Sequence, residues 1–116
     1  AVADLYHTMH PAVLMALQQV VTAAKAAAIP VSLCGELAGD PAGALLLMGM
    51  GYDSLSMNAA SLPKVKSVIR NFTLSQSQAM LQQALQQVCA DGVQGVIRDN
   101  LKAAGLTRLH SRYVGN

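Results

Sequence analysis

The feature that most constrains the fold is a pair of short β-like runs, VSLC at residues 31–34 and YDSLSMNA at residues 52–59. The first run lies between Pro30 and Gly35, and the second alternates in the manner of a half-buried strand. Helix-like sequence precedes and follows each run, with turns of a few residues between them. Strands that alternate with helices in this way are typical of parallel α/β units, so the sequence predicts an α/β fold.

The helix before the first strand is predicted over residues 10–30. Pro11 is tolerated in a first turn, and Pro30 stops the pattern. The apolar residues of this segment recur at helical spacing, at Val13, Leu14, Leu17, Val20, Val21 and Ala24. The spacing predicts an amphipathic helix of about five turns.

Two further helices flank the second strand. One is predicted to start at Asp40, as its cap, and Pro41, and to end at Gly51. The other is predicted over residues 62–71, with Ser61 as its cap.

The sequence after the third helix predicts helices only. Thr73 or Ser75 can cap a helix over residues 75–90, and Asp91 can cap one over residues 92–105 that ends at its terminal glycine. Their apolar stripes are Leu81, Ala84, Leu85 and Val88 in the first helix and Val93, Val96, Ile97 and Leu101 in the second. We expect the two helices to form a hairpin.

Two strands do not complete a parallel sheet, because a parallel pair is normally buried on both faces and between other strands. Hydrophobic residues make up 53% of the chain and charged residues 12%, which leaves little polar surface for a small free-standing domain. We therefore expect the chain to be the C-terminal end of a larger α/β domain, incomplete in isolation.

Composition also excludes classes of partner. The net charge of +2 comes from scattered Lys and Arg, without the basic stripe and stacking rings of a nucleic-acid surface. No apolar run approaches the ~20 residues that span a bilayer, and no leader opens the chain, so we expect a soluble, cytoplasmic protein without membrane contact. The two cysteines do not form the pattern of a disulfide scaffold, and we expect reduced thiols.

The candidate site lies at the end of the first strand, where parallel α/β folds build active sites. Cys34 ends that strand, Gly35 lets a ligand approach the backbone, and Glu36 supplies the nearest carboxylate. The helix that starts at Pro41 is expected to turn its positive end to the same rim, where it favours an anion. From the residues alone, Cys34 can be a nucleophile, a proton donor to an enolate, or a small buried hydrophobic side chain.

Other chemistry-bearing residues have simpler expected roles. His7 and His10 have a spacing compatible with metal binding but no third ligand nearby, so a loop leading into a helix is the preferred interpretation. Cys89 is expected to pack on an apolar helix face. Three basic residues are expected to form a solvated helix face, with phosphate binding as the lesser option: Lys64, Lys66 and Arg70.

Four segments carry a family resemblance: HPAVL at residues 10–14, CGELAGD at 34–40, LLLMGMGYDSLSMNA at 45–59 and LPKVKSVIRN at 62–71. In this order they resemble the C-terminal region of the enzyme I family, the phosphoenolpyruvate-protein phosphotransferases of the bacterial phosphotransferase system. The stretch GELAGDPAGALLLMGMGYDSLSMN most resembles the nitrogen-related paralogue of that family.

The resemblance implies a (β/α)8 TIM barrel, with residues 1–71 as its last two strands and their helices, 72–105 as a helical hairpin of the same domain, and 106–116 as a tail. It implies an enzyme that moves phosphate from phosphoenolpyruvate to a histidine and then to an HPr-like phosphocarrier. The parent enzyme would use Mg²⁺, form a homodimer, and protonate the pyruvate enolate with Cys34, with Gly35 and Glu36 in the substrate loop.

The family's phosphorylated histidine, phosphate-binding arginines and magnesium ligands have no match in this chain, so we expect the isolated chain to be inactive and to bind no metal. Two alternatives stay open. One is the barrel of a pyruvate phosphate dikinase or phosphoenolpyruvate synthase, which shares a Cys-Gly-Glu-like motif. The other is a small interaction module made of helices only, in which Cys34 is structural.

Overall fold

Helices and strands alternate along the chain in the order expected. The computed structural model describes residues 9–106. Its elements are α1 (Pro11–Ala26), β1 (Ser32–Cys34), α2 (Glu36–Gly39), α3 (Pro41–Met50), β2 (Ser54–Ser56), α4 (Leu62–Ile69), α5 (Leu74–Leu85) and α6 (Ala90–Ala103). The fold is mostly helical around one small parallel sheet, which fits the α/β class. The alternative of a module made of helices only is therefore wrong.

The sheet of the described residues has two parallel strands, β1 and β2. Asp53 aligns them: its Oδ2 accepts a 2.7 Å hydrogen bond from the Val31 N–H, and its own N–H donates to the Val31 carbonyl at 2.8 Å. In the resulting register Cys34 lies opposite Ser56. Because the strands are parallel, both end at the same edge of the sheet.

Helix α3 forms the centre of the core. Its residues 41–47 and Met50 are all buried, as expected for a helix that is apolar on every side. Asp40 caps its start, and Gly51 ends it in a left-handed conformation with φ of +104°, both as predicted. Side chains from the other helices complete the core around it, among them Leu14, Val21, Val68, Met80, Leu81, Val93 and Ile97.

Helix α1 covers one side of this core but is shorter than expected. It ends at Ala26, and Ala28 follows in a left-handed conformation with φ of +57°, so the chain turns before it reaches Pro30. Of the predicted stripe, Val20 is 51% exposed. The Tyr52 hydroxyl donates to the Leu17 carbonyl at 3.1 Å, and burial raises the pKa of this tyrosine.

Helix α4 starts without the predicted Ser61 side-chain cap, which makes no such hydrogen bond. Instead, the Asn58 Oδ1 accepts from the Ser61 N–H at 3.1 Å and from the Ser61 hydroxyl at 3.0 Å. The turn before α4 is therefore organised by Asn58, three residues earlier than the predicted cap.

The last two helices pack against each other as the expected hairpin, with corrected boundaries. Thr73 caps α5 in a capping box with Gln76, but the helix ends at Leu85 rather than at residue 90. Val88 is consequently 90% exposed and Cys89 is exposed, so both predicted packing roles are wrong. Asp91 lies in the first turn of α6 rather than at its cap.

Helix α6 ends as its terminal glycine predicts. Gly105 has φ of +79° and donates its N–H to the Lys102 carbonyl, and the Leu106 N–H donates to the Leu101 carbonyl. This pair of bonds is the Schellman arrangement. The predicted tail is described no further than Leu106, and the rest of it lies outside the described residues.

Helices α3 and α5 approach closely at Gly49. A Cβ built there would lie 2.7 Å from the Ser77 carbonyl oxygen, a contact that real side chains do not make. The Ser77 hydroxyl is fully buried at this interface and has no hydrogen-bond partner among the described residues. Glycine is therefore required at position 49 by space.

Candidate active site

A cleft of ≈ 800 Å³ lies at the edge where β1 and β2 end. The wall that follows β1 is formed by Cys34, Gly35, Glu36, Gly39, Asp40 and Pro41. The wall that follows β2 is formed by Ser56, Met57, Asn58, Ala60, Ser61 and Lys64. The cleft therefore contains all three residues that the sequence nominated for the site, Cys34, Gly35 and Glu36.

Cys34 is the last residue of β1 and lines the cleft. It is an exposed, free thiol, so the interpretation of a small buried hydrophobic residue is wrong. Its partner in the sheet register, Ser56, ends β2 and lines the same cleft. A ligand in the cleft can thus contact the thiol from solvent.

Gly35 turns the chain out of β1 with φ of +116° and ψ of −167°. This conformation is essentially restricted to glycine. A Cβ at this position would meet nothing within 4 Å, so the requirement is one of backbone shape and not of space. The turn holds Cys34 at the rim and starts α2, whose Gly39 N–H donates to the Gly35 carbonyl at 3.2 Å.

Helix α2 was not predicted from the sequence. It has four residues, too few for an apolar period to show. Glu36 is its first residue and exposes its carboxylate at the cleft. The helix thereby places Glu36 two residues after Cys34, in the lining of the same cleft.

Asp40 is only 6% exposed and caps α3, with its Oδ2 accepting from the Gly43 N–H at 3.0 Å. The positive end of α3 is therefore already met by a carboxylate of the chain itself. We had expected this helix start to favour an anion. The Asp40 carboxylate already occupies it, so a second anion there would be repelled by Asp40.

The three basic residues of α4 do not act as one surface. Lys64 lies in the first turn and lines the cleft, whereas Lys66 and Arg70 are exposed outside its lining. Asn58 and Ser61 also line it, and sequence reasoning did not place Asn58 there. Its position two residues after β2 was the available signal, since loops after strand ends build such sites.

Metal ligation has no support in the described part of the chain. Between residues 9 and 106, no three or more His, Cys, Asp or Glu side chains are grouped closely enough to hold an ion. His10 instead caps α1, its Nδ1 accepting from the Ala12 N–H at 3.0 Å. His7 lies outside the described residues.

No helix in the described range has the length and apolar character needed to cross a membrane.

A family model described as PEP-utilising enzyme, PEP-binding domain, matches residues 1–74. A phosphoenolpyruvate-protein phosphotransferase of Haemophilus influenzae is 40% identical over 100 residues, which cover 86% of this chain and 17% of that protein. The phosphoenolpyruvate-protein phosphotransferase of Cupriavidus necator is 41% identical over 86 residues, 74% of this chain and 15% of that protein.

A Salmonella typhimurium protein described as phosphoenolpyruvate-dependent phosphotransferase system is 33% identical over 105 residues, 90% of this chain and 14% of that protein. The chain thus spans less than one fifth of the length of the curated relatives it matches.

Proposed function

We propose, because this chain belongs to the family of PEP-utilising enzymes, that it forms part of the substrate site of a phosphoenolpyruvate-protein phosphotransferase. The complete protein would transfer phosphate from phosphoenolpyruvate to an enzyme histidine, release pyruvate, and pass the phosphate to an HPr-like carrier. The observation that carries this proposal is the exposed Cys34 thiol at the end of β1, in the cleft.

Cys34 is assigned the role of proton donor. When phosphate leaves phosphoenolpyruvate, the remaining enolate is a strong carbon base, and a thiol ordinarily holds its proton at neutral pH. Protonation breaks the S–H bond, forms a C–H bond at the methylene carbon, and leaves a thiolate that regains its proton from solvent. Gly35 shapes the loop that presents the thiol, and Glu36 lies beside it in the substrate loop.

In the complete protein, we place β1 and β2 as the last two strands of a (β/α)8 barrel, within residues 1–71. The hairpin within residues 72–105 then belongs to the same domain, which the packing of α5 on α3 supports. The phosphorylated histidine and the Mg²⁺ ligands are assigned to other parts of the protein. Homodimer formation and a cytoplasmic location complete the proposal.

A pyruvate phosphate dikinase or phosphoenolpyruvate synthase barrel remains the second candidate. The names of the relatives described above favour the phosphotransferase. Those names do not separate the sugar branch from the nitrogen-related branch. Incubation of the phosphorylated full-length protein with a carrier from each branch tests the nitrogen-related assignment, which requires faster transfer to the nitrogen-branch carrier.

The proton-donor role is tested by pyruvate release from phosphoenolpyruvate in the full-length protein. Cys34→Ala is expected to slow release by about 10²- to 10⁴-fold, the usual contribution of general acid catalysis. Cys89→Ala is the matched control, because Cys89 is equally a free, exposed thiol but does not line the cleft. Its rate should equal that of the wild type.

If Cys34→Ala and Cys89→Ala both release pyruvate at the wild-type rate, Cys34 is not the proton donor. A wild-type protein that transfers no phosphate from phosphoenolpyruvate would refute the proposed reaction itself.

A further inference from the structure

The two walls of the cleft differ in charge. The wall after β1 carries the carboxylates of Glu36 and Asp40, while Lys64, on the wall after β2, is the one cationic residue of the described chain that lines the cleft. An anion in the cleft is therefore attracted to Lys64. Phosphoenolpyruvate carries two anionic groups, a phosphate and a carboxylate.

Two helices, α3 and α4, start at this cleft, and only α3 has a carboxylate bound at its positive end. Asp40 already occupies the positive end of α3 through its hydrogen bond from the Gly43 N–H. Helix α4 has no acidic residue in its first turn, and Ser61 gives it no side-chain cap. The Leu62 N–H at the start of α4 already donates to the Ala59 carbonyl, but no carboxylate of the first turn competes there with an anion beside Lys64.

The position of Lys64 is unfavourable for its own helix. A cation in the first turn lies at the positive end of the helix dipole, whereas Lys66, in the last turn, lies at the end that stabilises a cation. Helix stability thus accounts for the charge of Lys66 but not for that of Lys64. Local rules of this kind are broken most often at functional sites.

We propose that Lys64 binds an anionic group of the substrate, and so orients the substrate between the start of α4 and the Cys34 thiol. The inference rests on the proposed function and adds a substrate-binding residue to the same site. Lys64 and Cys34 line the same cleft, so a substrate held at Lys64 through an anionic group can present its methylene carbon to the Cys34 thiol.

The test measures how phosphoenolpyruvate protects Cys34 from iodoacetamide in the full-length protein, with Mg²⁺ present and the Cys34 peptide followed by mass spectrometry. Lys64→Gln is compared with Lys66→Gln, which removes the same charge from the same helix outside the cleft. Loss of one charge-assisted hydrogen bond raises the half-protecting concentration by about 10- to 100-fold. We expect that rise for Lys64→Gln alone.

Lys64→Arg supplies a second readout, because it keeps the positive charge and should retain most of the protection. Equal half-protecting concentrations for wild type, Lys64→Gln and Lys66→Gln would overturn the inference, as would a wild-type Cys34 that phosphoenolpyruvate does not protect.

Pyruvate release, measured in parallel, separates this inference from the proposed function. Protection that depends on Lys64 without any pyruvate release would support the anion site and refute the reaction. If the protein releases pyruvate but Lys64→Gln has the same half-protecting concentration as wild type, the reaction is supported and the anion site is refuted.

Discussion

At the scale of single residues, two glycines differ in whether alanine could replace them. Gly35 has a backbone conformation that other residues adopt only under strain. Gly95 lies inside α6, where a Cβ would meet nothing within 4 Å. Alanine is therefore unfavourable at the first position and favourable at the second, although neither position is crowded.

Gly35→Ala is expected to lower the free energy of unfolding by about 1–3 kcal/mol, because the strained turn after β1 must persist or rearrange. Gly95→Ala is expected to raise it by about 0.5–1 kcal/mol, because alanine loses less conformational freedom in a helix. Urea denaturation followed by circular dichroism measures both. Shifts of the same sign in the two variants would contradict this account.

The two cysteines show what local sequence could and could not predict at this scale. Cys34 was correctly placed at the end of a strand, because Pro30 and Gly35 delimit that strand, and it lines the cleft. Cys89 was wrongly placed on a buried helix face, because nothing in QQALQQVC breaks a helix. Helix α5 ends at Leu85, and α6 folds back to pack against it. This end is therefore set by tertiary packing, which the local sequence does not show.

At the scale of elements, the contact between α3 and α5 is the most extensive between any two elements described. Gly49 lets the backbones approach, while the buried Ser77 hydroxyl contributes no hydrogen bond within residues 9–106. The stability of this contact comes from close packing of apolar groups, and polar atoms weaken it.

Gly49→Ala is expected to destabilise the protein by about 1–3 kcal/mol, the usual cost of overpacking a tight interface. Ser77→Ala, at the same contact, removes an unsatisfied hydroxyl and is expected to be neutral or stabilising. Thermal denaturation of the pair provides the measurement. If Ser77→Ala loses as much stability as Gly49→Ala, the Ser77 hydroxyl has a stabilising hydrogen-bond partner, which would contradict this prediction.

Helix starts were predicted better than helix ends. Asp40 and Thr73 mark the starts of α3 and α5 in the sequence because their side chains cap the helix locally. The ends of α1 and α5 and the whole of α2 could not be predicted, since they depend on what the chain packs against next. The cap of α4 was assigned to Ser61, although Asn58 organises that turn.

At the scale of the whole molecule, surface that normally requires cover is open. The two-stranded sheet of residues 9–106 has an unpaired edge on each strand. Several large apolar side chains are exposed, namely Met15, Val20, Ile29, Leu62, Leu74 and Val88. The high apolar fraction of the sequence predicted such uncovered surface. The barrel that would cover it is implied only by the family resemblance and is a proposal.

The isolated chain is expected to self-associate, because open strand edges and exposed apolar groups both favour contact between copies. Sedimentation velocity over a range of concentrations should show a rising average mass. Val20→Lys and Ile29→Lys together should reduce association without entering the core, since both side chains are more than half exposed. A wild-type chain that stays monomeric throughout would contradict the expectation.

The burial of α3 has a consequence for how this region can be divided. The family match stops at residue 74, just where α5 begins, yet α5 is the main cover of the central helix. A gene segment cut at the end of the match would encode a polypeptide in which the side of α3 that α5 covers is exposed to water. The boundary of the family match therefore differs from the boundary of the packing around α3, which includes α5.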